Sequence, residues 1–280
     1  MIDGEALPPV SATVPVHIGQ AGGASETGAW ELAVEVPVQI MVNGAPFTVL
    51  LATPADLDDL ALGVLLTEQV LSHAGDVTGI QVSPYLGDVR VDVQVRDGSV
   101  RTDRLGARSI LGNSGCGLCG IESLAQLHAR TPRMDRAIMP ITDEAIRRAF
   151  TALPAHQPLN ARTRSVHAAA WCEPDGHVVM AREDVGRHNA LDKLVGALAA
   201  RDRLDEPGFV VMSSRCSYEL VYKAAATNAQ LLATISAPTT MALQWATALH
   251  MPLACALARR GEIAVVRTPD ARRAALPPSP

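Results

Sequence analysis

The sequence predicts an α/β protein in which a smaller α+β domain precedes a three-layer α/β domain. Two patterns carry this prediction. In the first part of the chain, apolar residues alternate with period two around the dipeptide Asn43-Gly44, and one apolar helix stripe follows. In the second part, short apolar strands alternate with helices, which is typical of a sheet covered on both faces. With 280 residues, 48% of them hydrophobic, the chain has enough apolar material for a substantial core.

Composition limits the class of function. A formal net charge of -5 argues against general nucleic-acid binding but leaves room for a local basic pocket that takes a phosphorylated ligand. No apolar run reaches the roughly 18 residues of a membrane span. The N-terminus lacks the basic and apolar regions of a signal peptide. We therefore expect a cytoplasmic protein with no nucleic-acid or membrane partner.

Composition also divides the chain. Residues 1–28 are rich in Pro, Gly, Ala and Ser, which predicts a disordered lead, and residues 269–280 are expected to form a loose tail. Between them we predict the small α+β domain at residues 29–106 and the α/β domain at residues 107–268.

The small domain begins with a hairpin, because an Asn-Gly pair between two alternating runs at residues 31–51 is a strong hairpin signal. A helix should follow directly. Thr53 is a suitable N-cap with Pro54 in the first turn, and the apolar stripe continues to about Val70. Residues 81–95 contain a second pair of alternating runs.

The larger domain shows the strand and helix alternation. Its predicted strands lie at residues 166–171, 177–181, 208–212, 231–235, 252–257 and 263–266. Its predicted helices lie near residues 121–129, 142–153, 189–200, 217–227 and 239–249.

Two of the five cysteines lie in the run GCGLCG at residues 115–120, directly before a predicted apolar helix. The neighbouring glycines permit positive φ and leave the sulfur atoms uncrowded. The start of the helix offers unpaired N–H groups and the positive end of a dipole, which stabilise a thiolate. Cys116 and Cys119 are therefore candidates for sulfur chemistry.

The CxxC spacing alone leaves four alternatives: half of a zinc site, a redox disulfide, a transferring thiol, or inert packing. Structural zinc needs about four ligands, and Cys172, Cys216 and Cys255 are isolated in the sequence. The pattern therefore argues against zinc. A reducing cytosol favours a reactive or carrier role over a structural disulfide.

Three strands are predicted to end in a small polar turn from which a helix begins, at residues 182–189, 213–217 and 235–240. In open α/β sheets, ligands bind at the carboxyl ends of strands, and helix N-termini there suit oxyanions. These loops predict a phosphorylated ligand. Arginines that can pair with its phosphate oxygens are Arg187, Arg215, Arg259 and Arg260.

Residues 184–193 carry six polar functional side chains within ten positions. His188 and Asp192 fall one helical turn apart, which is consistent with a shared functional face. A solvated helix face would give a similar pattern, and both interpretations stay open. His167, inside an apolar strand, is equally consistent with a site residue and with a hydrogen-bonded core histidine.

Several runs taken together resemble the FdhD family, the formate dehydrogenase accessory sulfurtransferases. The resemblance covers about residues 31–266, and its most specific part is EDVGRHNALDK at residues 183–193. The other matching runs are GCGLCG at 115–120, SVHAAA at 165–170, the segment 214–223 and SAPTT at 236–240.

The resemblance implies a cytidine-deaminase-like fold for the α/β domain, a homodimer, and a sulfur carrier. A cysteine desulfurase would pass sulfane sulfur to the carrier as a cysteine persulfide. The persulfide would then sulfurate the molybdenum cofactor, bis-molybdopterin guanine dinucleotide, before its insertion into formate dehydrogenase. By the family pattern Cys116 carries the persulfide and Cys119 assists, although the sequence leaves open which of the two carries the sulfur.

The resemblance also implies that the cofactor is a bound acceptor, that a guanine nucleotide such as GDP can occupy its site, and that the protein has no permanent cofactor or metal. The cofactor-binding residues are expected on the strand-end runs and on a C-terminal segment. They are His167, Gly186, Arg187, His188, Asn189, Asp192, Lys193, Ser214, Arg215, Ser236, Thr239, Leu257, Ala258, Arg259, Arg260, Gly261 and Glu262.

The chain departs from the family pattern in three places. Arg164 stands where the family commonly has glycine, and Cys216 stands where alanine is usual. The segment at residues 257–262 lacks the aromatic start of the family's C-terminal motif.

Other functions have weaker sequence support. A deaminase-like zinc hydrolase would need an HxE pair and a proline before the CxxC, and the sequence has neither. A thioredoxin-type oxidoreductase would carry its CxxC after an early strand in a small domain, without the long polar runs. The alternative from a different class is a non-enzymatic chaperone that binds the molybdenum cofactor for formate dehydrogenase.

Overall fold

The computed structural model describes residues 6–19, 25–104, 139–259 and 262–268. The predictions that lie outside the described residues are those for Cys116, Cys119, the helix at 121–129, Arg260, Gly261 and the tail at 269–280.

The chain starts with an antiparallel two-stranded ribbon of β1 (Ser11–Gly19) and β2 (Ser25–Ala33). The prediction of a disordered lead over residues 1–28 is therefore wrong for the strand residues. The prediction relied on average composition, which does not record the order of residues. Val14, Val16 and Ile18 occupy every second position, which is the period of a β-strand.

A four-stranded sheet follows, with strand order β4-β3-β6-β5. Asn43 and Gly44 both adopt positive φ between β3 and β4, as a tight hairpin turn requires, and the predicted hairpin is confirmed. The predicted second strand pair is confirmed as β5 and β6. The strands are β3 (Val36–Val42), β4 (Ala45–Ala52), β5 (Val77–Tyr85) and β6 (Asp88–Val95).

Helix α1 (Leu57–Thr67) follows β4, as predicted, but its N-cap is Asp56 in the left-handed region and not Thr53. Thr53 has a different role. Its hydroxyl oxygen accepts a hydrogen bond from the backbone N–H of Val185, which is far away in the sequence. A tertiary contact has therefore overridden a local capping signal.

The second half forms a six-stranded mixed sheet with strand order β12-β11-β10-β9-β7-β8. Strands β9, β10 and β11 are parallel, whereas β7 is antiparallel to both β8 and β9, and β12 is antiparallel to β11. The strands are β7 (His167–Cys172), β8 (Val178–Asp184), β9 (Gly208–Met212), β10 (Ala229–Thr234), β11 (Leu253–Arg259) and β12 (Glu262–Arg267).

Helices cover both faces of this sheet. Ile146 and Phe150 of α2 pack on one face with Phe209, whereas Leu194 of α4 packs on the other with Val210. The helices are α2 (Asp143–Ala152), α3 (Pro158–Thr163), α4 (Arg187–Ala199), α5 (Tyr218–Ala224) and α6 (Thr240–Ala248). Single 3-10 turns lie at Ala74–Asp76, Thr102–Arg104 and Leu153–His156.

The mixed α/β class is thus confirmed, while the specific likeness to cytidine deaminases stays a prediction. Within the described part of the chain, no helix has the length and apolar character needed to cross a membrane.

Helices α1 and α4 pack with their backbones in contact, and this contact joins the two sheets. A Cβ atom on Gly63 would lie 1.8 Å from the carbonyl oxygen of Asp192, and one on Gly196 would lie 1.9 Å from the carbonyl oxygen of Asp59. One buried cluster runs through this contact from the small sheet to the large one. The domain boundaries predicted at residues 29–106 and 107–268 stay predictions.

We expect Gly63→Ala to lower the free energy of unfolding by about 3 kcal/mol, because the new methyl group must push two helix backbones apart. Urea denaturation of the two proteins would measure this. Gly79→Ala is a matched control, since a Cβ there meets nothing within 4 Å. It should change stability by no more than about 0.5 kcal/mol. Equal stability of the two variants would contradict the proposed close approach of α1 and α4.

Candidate functional site

Most of the predicted cofactor-binding residues that the structure describes lie at one edge of the six-stranded sheet, where β8 to β11 end and β7 begins. The registers establish this. His167 is paired with Asp184, and Thr234 is level with Met212 on one side and Cys255 on the other. We call this region the carboxyl edge, and it comprises His167, residues 184–189, 213–217 and 235–239, and Leu257.

A group of positive and titratable side chains lies at the carboxyl edge. His167 is half-buried, and its pKa is lowered by burial and then by the nearby Arg187 and His188, with a smaller contribution from Arg215. The Arg187 Nε atom is buried and has no hydrogen-bond partner among the described residues. Since a buried donor without an acceptor costs about 1–3 kcal/mol, this arrangement favours binding of an anion.

The first turn of α4 adds to this positive region. Its N-cap is Gly186, and no side chain caps the helix. The Gly186 backbone N–H donates to Asp184 Oδ1 at 2.8 Å, which fixes the turn. Positive dipole ends and free N–H groups of this kind bind phosphate in many α/β proteins.

His188 is held by two partners from the start of α5. Its Nε2 atom lies 3.4 Å from Ser217 Oγ and 3.7 Å from Glu219 Oε2. Burial acts to raise the pKa of Glu219, but hydrogen bonds with His188 and Ser217 outweigh it, and the net pKa is lowered. Glu219 is therefore an ionised carboxylate that orients the histidine ring. Glu219 was not among the predicted site residues. The sequence feature that could have indicated it is an acidic residue in the first turn of a helix that begins at Ser217.

A buried ion pair lies directly beneath this turn. Lys193 Nζ lies 2.6 Å from Asp184 Oδ2, and both side chains are 0% exposed. Asp184 also accepts hydrogen bonds from the backbone N–H of Thr53 at 3.0 Å and from Asn189 Nδ2 at 3.0 Å. Lys193 donates to the Thr53 carbonyl oxygen at 3.0 Å, and Asn189 donates to the Leu51 carbonyl oxygen at 2.8 Å. We call these five residues the Asp184 clamp.

A second buried pair is formed by Asp192, the residue that precedes Lys193 on α4. Lys223 donates to both carboxylate oxygens of Asp192 at 2.9 Å, and Thr67 Oγ1 donates to Asp192 Oδ1 at 2.7 Å. Burial raises the pKa of Asp192, although Lys223 acts against it. Asp192 and Lys193 thus lie in the interior, and residues 184–193 do not form a solvated helix face. The structure places these two residues beneath the site and not on its surface.

Glu183, which precedes Asp184, also supports the site. Its carboxylate oxygens accept hydrogen bonds from the backbone N–H groups of Leu159 and Asn160, at 2.9 and 2.8 Å. A carboxylate at the start of α3 satisfies two N–H groups that the helix leaves unpaired. Only the fold could reveal this contact, because 23 residues separate Glu183 from Asn160.

The other two loops of the carboxyl edge are joined to each other. Cys216 forms a single β-bridge with Pro238, and its carbonyl oxygen accepts a hydrogen bond from the Thr239 N–H at 3.0 Å. The Thr239 hydroxyl oxygen caps α6. The Ser214 hydroxyl donates to the Arg215 carbonyl oxygen at 3.1 Å.

The remaining predicted residues lie at or next to the edge. The Ser236 carbonyl oxygen accepts a hydrogen bond from Thr234 Oγ1 at 2.6 Å. Arg259 and Glu262 are paired through their backbones at the ends of β11 and β12, next to Ala258.

Three cysteines lie in the described residues, and none is a good nucleophile. Cys172, Cys216 and Cys255 are buried and free. Burial raises the pKa of each thiol, in the case of Cys216 to about 12. The departure at Cys216 therefore puts a packed, protonated thiol at the edge and not a second reactive one.

The departure at Arg164 has a backbone consequence. This residue ends α3 in the left-handed region, at a φ of 55°. Glycine adopts that conformation without cost, which accounts physically for the glycine of the family pattern at this position. Arg164 is exposed, so its side chain extends from this turn into solvent.

We expect Lys193→Met to lower the free energy of unfolding by about 3–5 kcal/mol, because Asp184 would remain as a buried carboxylate without its cation. Chemical denaturation would measure the loss. The control is Arg147→Met, which removes a surface pair with Glu144 and should cost less than about 1 kcal/mol. If both variants were equally stable, the Asp184 clamp would not have the structural role assigned to it.

Comparison with known proteins agrees with this architecture. A crystal structure of a proposed formate dehydrogenase accessory protein from Desulfotalea psychrophila superposes with a TM-score of 0.71, covering 94% of this chain and 99% of that one. The two sequences are 21% identical, so this match supports a shared fold and nothing further.

Sequence relatives are closer. The sulfur carrier protein FdhD of Xanthomonas euvesicatoria is 44% identical over 233 residues, covering 83% of this chain and 82% of that protein. The protein of the same name from Cupriavidus necator is 42% identical over 251 residues, covering 90% and 86%. The model of the FdhD/NarQ family matches residues 33–272. With its specific EDVGRHNALDK run folded into the base of one site, this chain belongs to the FdhD/NarQ family.

Proposed function

We propose that this protein is a sulfurtransferase that carries sulfur to the molybdenum cofactor of formate dehydrogenase. The observation that carries the proposal is membership of the FdhD/NarQ family, with relatives named sulfur carrier protein FdhD at 42–44% identity. The basic carboxyl edge supports it, since the acceptor is a nucleotide-containing substrate with several phosphates.

The carrier step is a thiol exchange at the CxxC. The Cys116 thiolate attacks the outer sulfur of a persulfide on a cysteine desulfurase, so a new S–S bond forms on Cys116. The S–S bond on the donor breaks, and the donor cysteine leaves as a thiolate. The three described cysteines are poor candidates for this step, because burial keeps their thiols protonated. Cys119 would relay the sulfur or tune the reactivity of Cys116.

The acceptor would be the bis-molybdopterin guanine dinucleotide form of the cofactor, bound as substrate. Its diphosphate groups fit the carboxyl edge, where Arg187 offers an unpaired buried donor and the first turn of α4 lacks a side-chain cap. A guanine nucleotide such as GDP would occupy the same place. The surroundings of Asn189, Asp192 and Lys193 suit them to supporting this surface from below.

In this proposal the protein works as a cytoplasmic homodimer with a cytidine-deaminase-like α/β domain. Its partners are a cysteine desulfurase, which supplies sulfur, and formate dehydrogenase, which receives the sulfurated cofactor. The alternative is a non-enzymatic chaperone that binds the cofactor and delivers it without sulfur transfer. The carboxyl edge would bind the cofactor in either role. Only the sulfurtransferase needs the CxxC cysteines, so substitution of these cysteines distinguishes the two functions.

Incubation of the reduced protein with a cysteine desulfurase and cysteine should place one extra sulfur atom on Cys116. Alkylation followed by peptide mass spectrometry would locate it. Cys116→Ala should abolish maturation of formate dehydrogenase while GDP binding persists, and Cys119→Ala should reduce maturation. Cys172→Ala is the control and should leave maturation unchanged, because that thiol is buried at the end of β7 opposite the carboxyl edge. Full maturation by Cys116→Ala would favour the chaperone.

We also expect a thiol reagent to distinguish the cysteines in the folded protein. At pH 8, iodoacetamide should leave Cys172 and Cys216 unmodified for as long as the fold persists, because their pKa values are raised by burial. Both should be modified after denaturation in urea. Rapid labelling of either one in the native protein would show that the six-stranded sheet is packed differently.

A further inference from the structure

His167 stands out at the carboxyl edge because it is a titratable group surrounded by positive charge. It is the first residue of β7 and is half-buried. From α4 it faces Arg187 and His188, and from the loop after β9 it faces Arg215. Burial, Arg187, His188 and Arg215 lower the pKa of His167, and a hydrogen bond with the Ser213 backbone acts against them. The net pKa lies below the usual value, so the ring is mostly neutral above pH 7 in the absence of a ligand.

We propose that His167 is a direct phosphate ligand that takes up one proton when the phosphate binds, so that the carboxyl edge selects its ligand by negative charge. The inference rests on the proposed nucleotide site and extends it, because it states how that site recognises charge. The proton comes from solvent, and the step needs no other reactant.

His167 would take up a proton because a bound phosphate changes the charge that surrounds its ring from positive towards negative. In the protein alone, two arginines disfavour a third positive charge at the edge. A phosphate that accepts from the unpaired Arg187 Nε brings at least one negative charge beside the ring. An imidazolium then donates a charge-assisted hydrogen bond to the phosphate, and a neutral ring could donate only a weaker one.

The other titratable groups around His167 are already paired. Asp184 lies opposite His167 in the sheet, but its carboxylate is bonded to Lys193 in the interior. His188 has the ionised Glu219 and the Ser217 hydroxyl as partners at its Nε2 atom. Among the described residues, His188 thus has a carboxylate partner, whereas the polar partner of the His167 ring is the Ser213 backbone. A bound phosphate would give His167 an anionic partner.

The direction of the pH dependence follows from linkage. Because His167 is neutral in the free protein and charged in the complex, ligand affinity should rise as the pH falls from 8 towards the lowered pKa of the free histidine. The increase is at most about tenfold per pH unit for one proton, and it should level off below that pKa.

The test is isothermal titration calorimetry with GDP-mannose, a guanosine diphosphate ester that has no phosphate group titrating near neutral pH. Titrations at pH 7.5 in two buffers of different ionisation enthalpy give the number of protons taken up. We expect net proton uptake, of at most one proton, for the wild type. His167→Gln should bind without uptake, at least fivefold more weakly at pH 6.5, and with little pH dependence. The control is His73→Gln, an exposed histidine just before the 3-10 turn that leads into β5, which should behave as wild type.

Two results would overturn the inference alone: binding without proton uptake in the wild type, or uptake that persists in His167→Gln. Absence of GDP-mannose binding, in protein whose circular dichroism shows a native fold, would overturn both the inference and the proposed nucleotide site. The sulfur-carrier role would then still be judged separately from the persulfide measurement on Cys116.

Discussion

The Asp184–Lys193 ion pair is the interaction on which the rest of the site depends. A buried pair of this kind is stabilising only when further hydrogen bonds satisfy its remaining oxygens and protons. Here backbone groups of Thr53 and Gly186 and the Asn189 amide supply them. The pair therefore connects three segments: the end of β4, the turn after β8, and α4. The Gly186 turn cannot move independently of the small sheet.

The run at residues 183–193 contains some residues that face the interior and others that lie at the carboxyl edge. Residues that face inward bind other parts of the protein. Glu183 accepts hydrogen bonds from the first N–H groups of α3, Asp184 and Lys193 form the ion pair of the Asp184 clamp, and Asp192 pairs with Lys223. Arg187 and His188, in the first turn of α4, remain at the edge. A run of eleven polar and apolar residues can thus specify a rigid base and a ligand-facing rim at the same time.

Local signals in the sequence predicted most of the fold but only the outline of the site. The Asn43-Gly44 turn and the strand and helix alternation are local, and the structure confirms them. Thr53 was misassigned as a cap because its partner, Val185, lies 132 residues away. For the same reason, the sequence did not show that Asp192 and Lys193, which were expected to bind the cofactor, have buried partners. Burial of a charged residue depends on a partner from another segment, and a single sequence does not show which partner that is.

The same reasoning explains why an acidic protein can present a basic edge. Overall charge is -5, yet three carboxylates of the described residues at the edge, those of Glu183, Asp184 and Glu219, are already paired with cations, a histidine or helix N–H groups. Asp184 neutralises Lys193 in the interior, Glu183 caps α3, and Glu219 faces His188. Within the described residues, these three carboxylates are therefore not available to compensate Arg187, Arg215 and the uncapped turn of α4. The Asp184 clamp fixes the first turn of α4, which carries Arg187, before any ligand arrives. A phosphate bound as proposed would therefore meet donors on this turn that need little rearrangement, and most of its binding energy would be available for recognition.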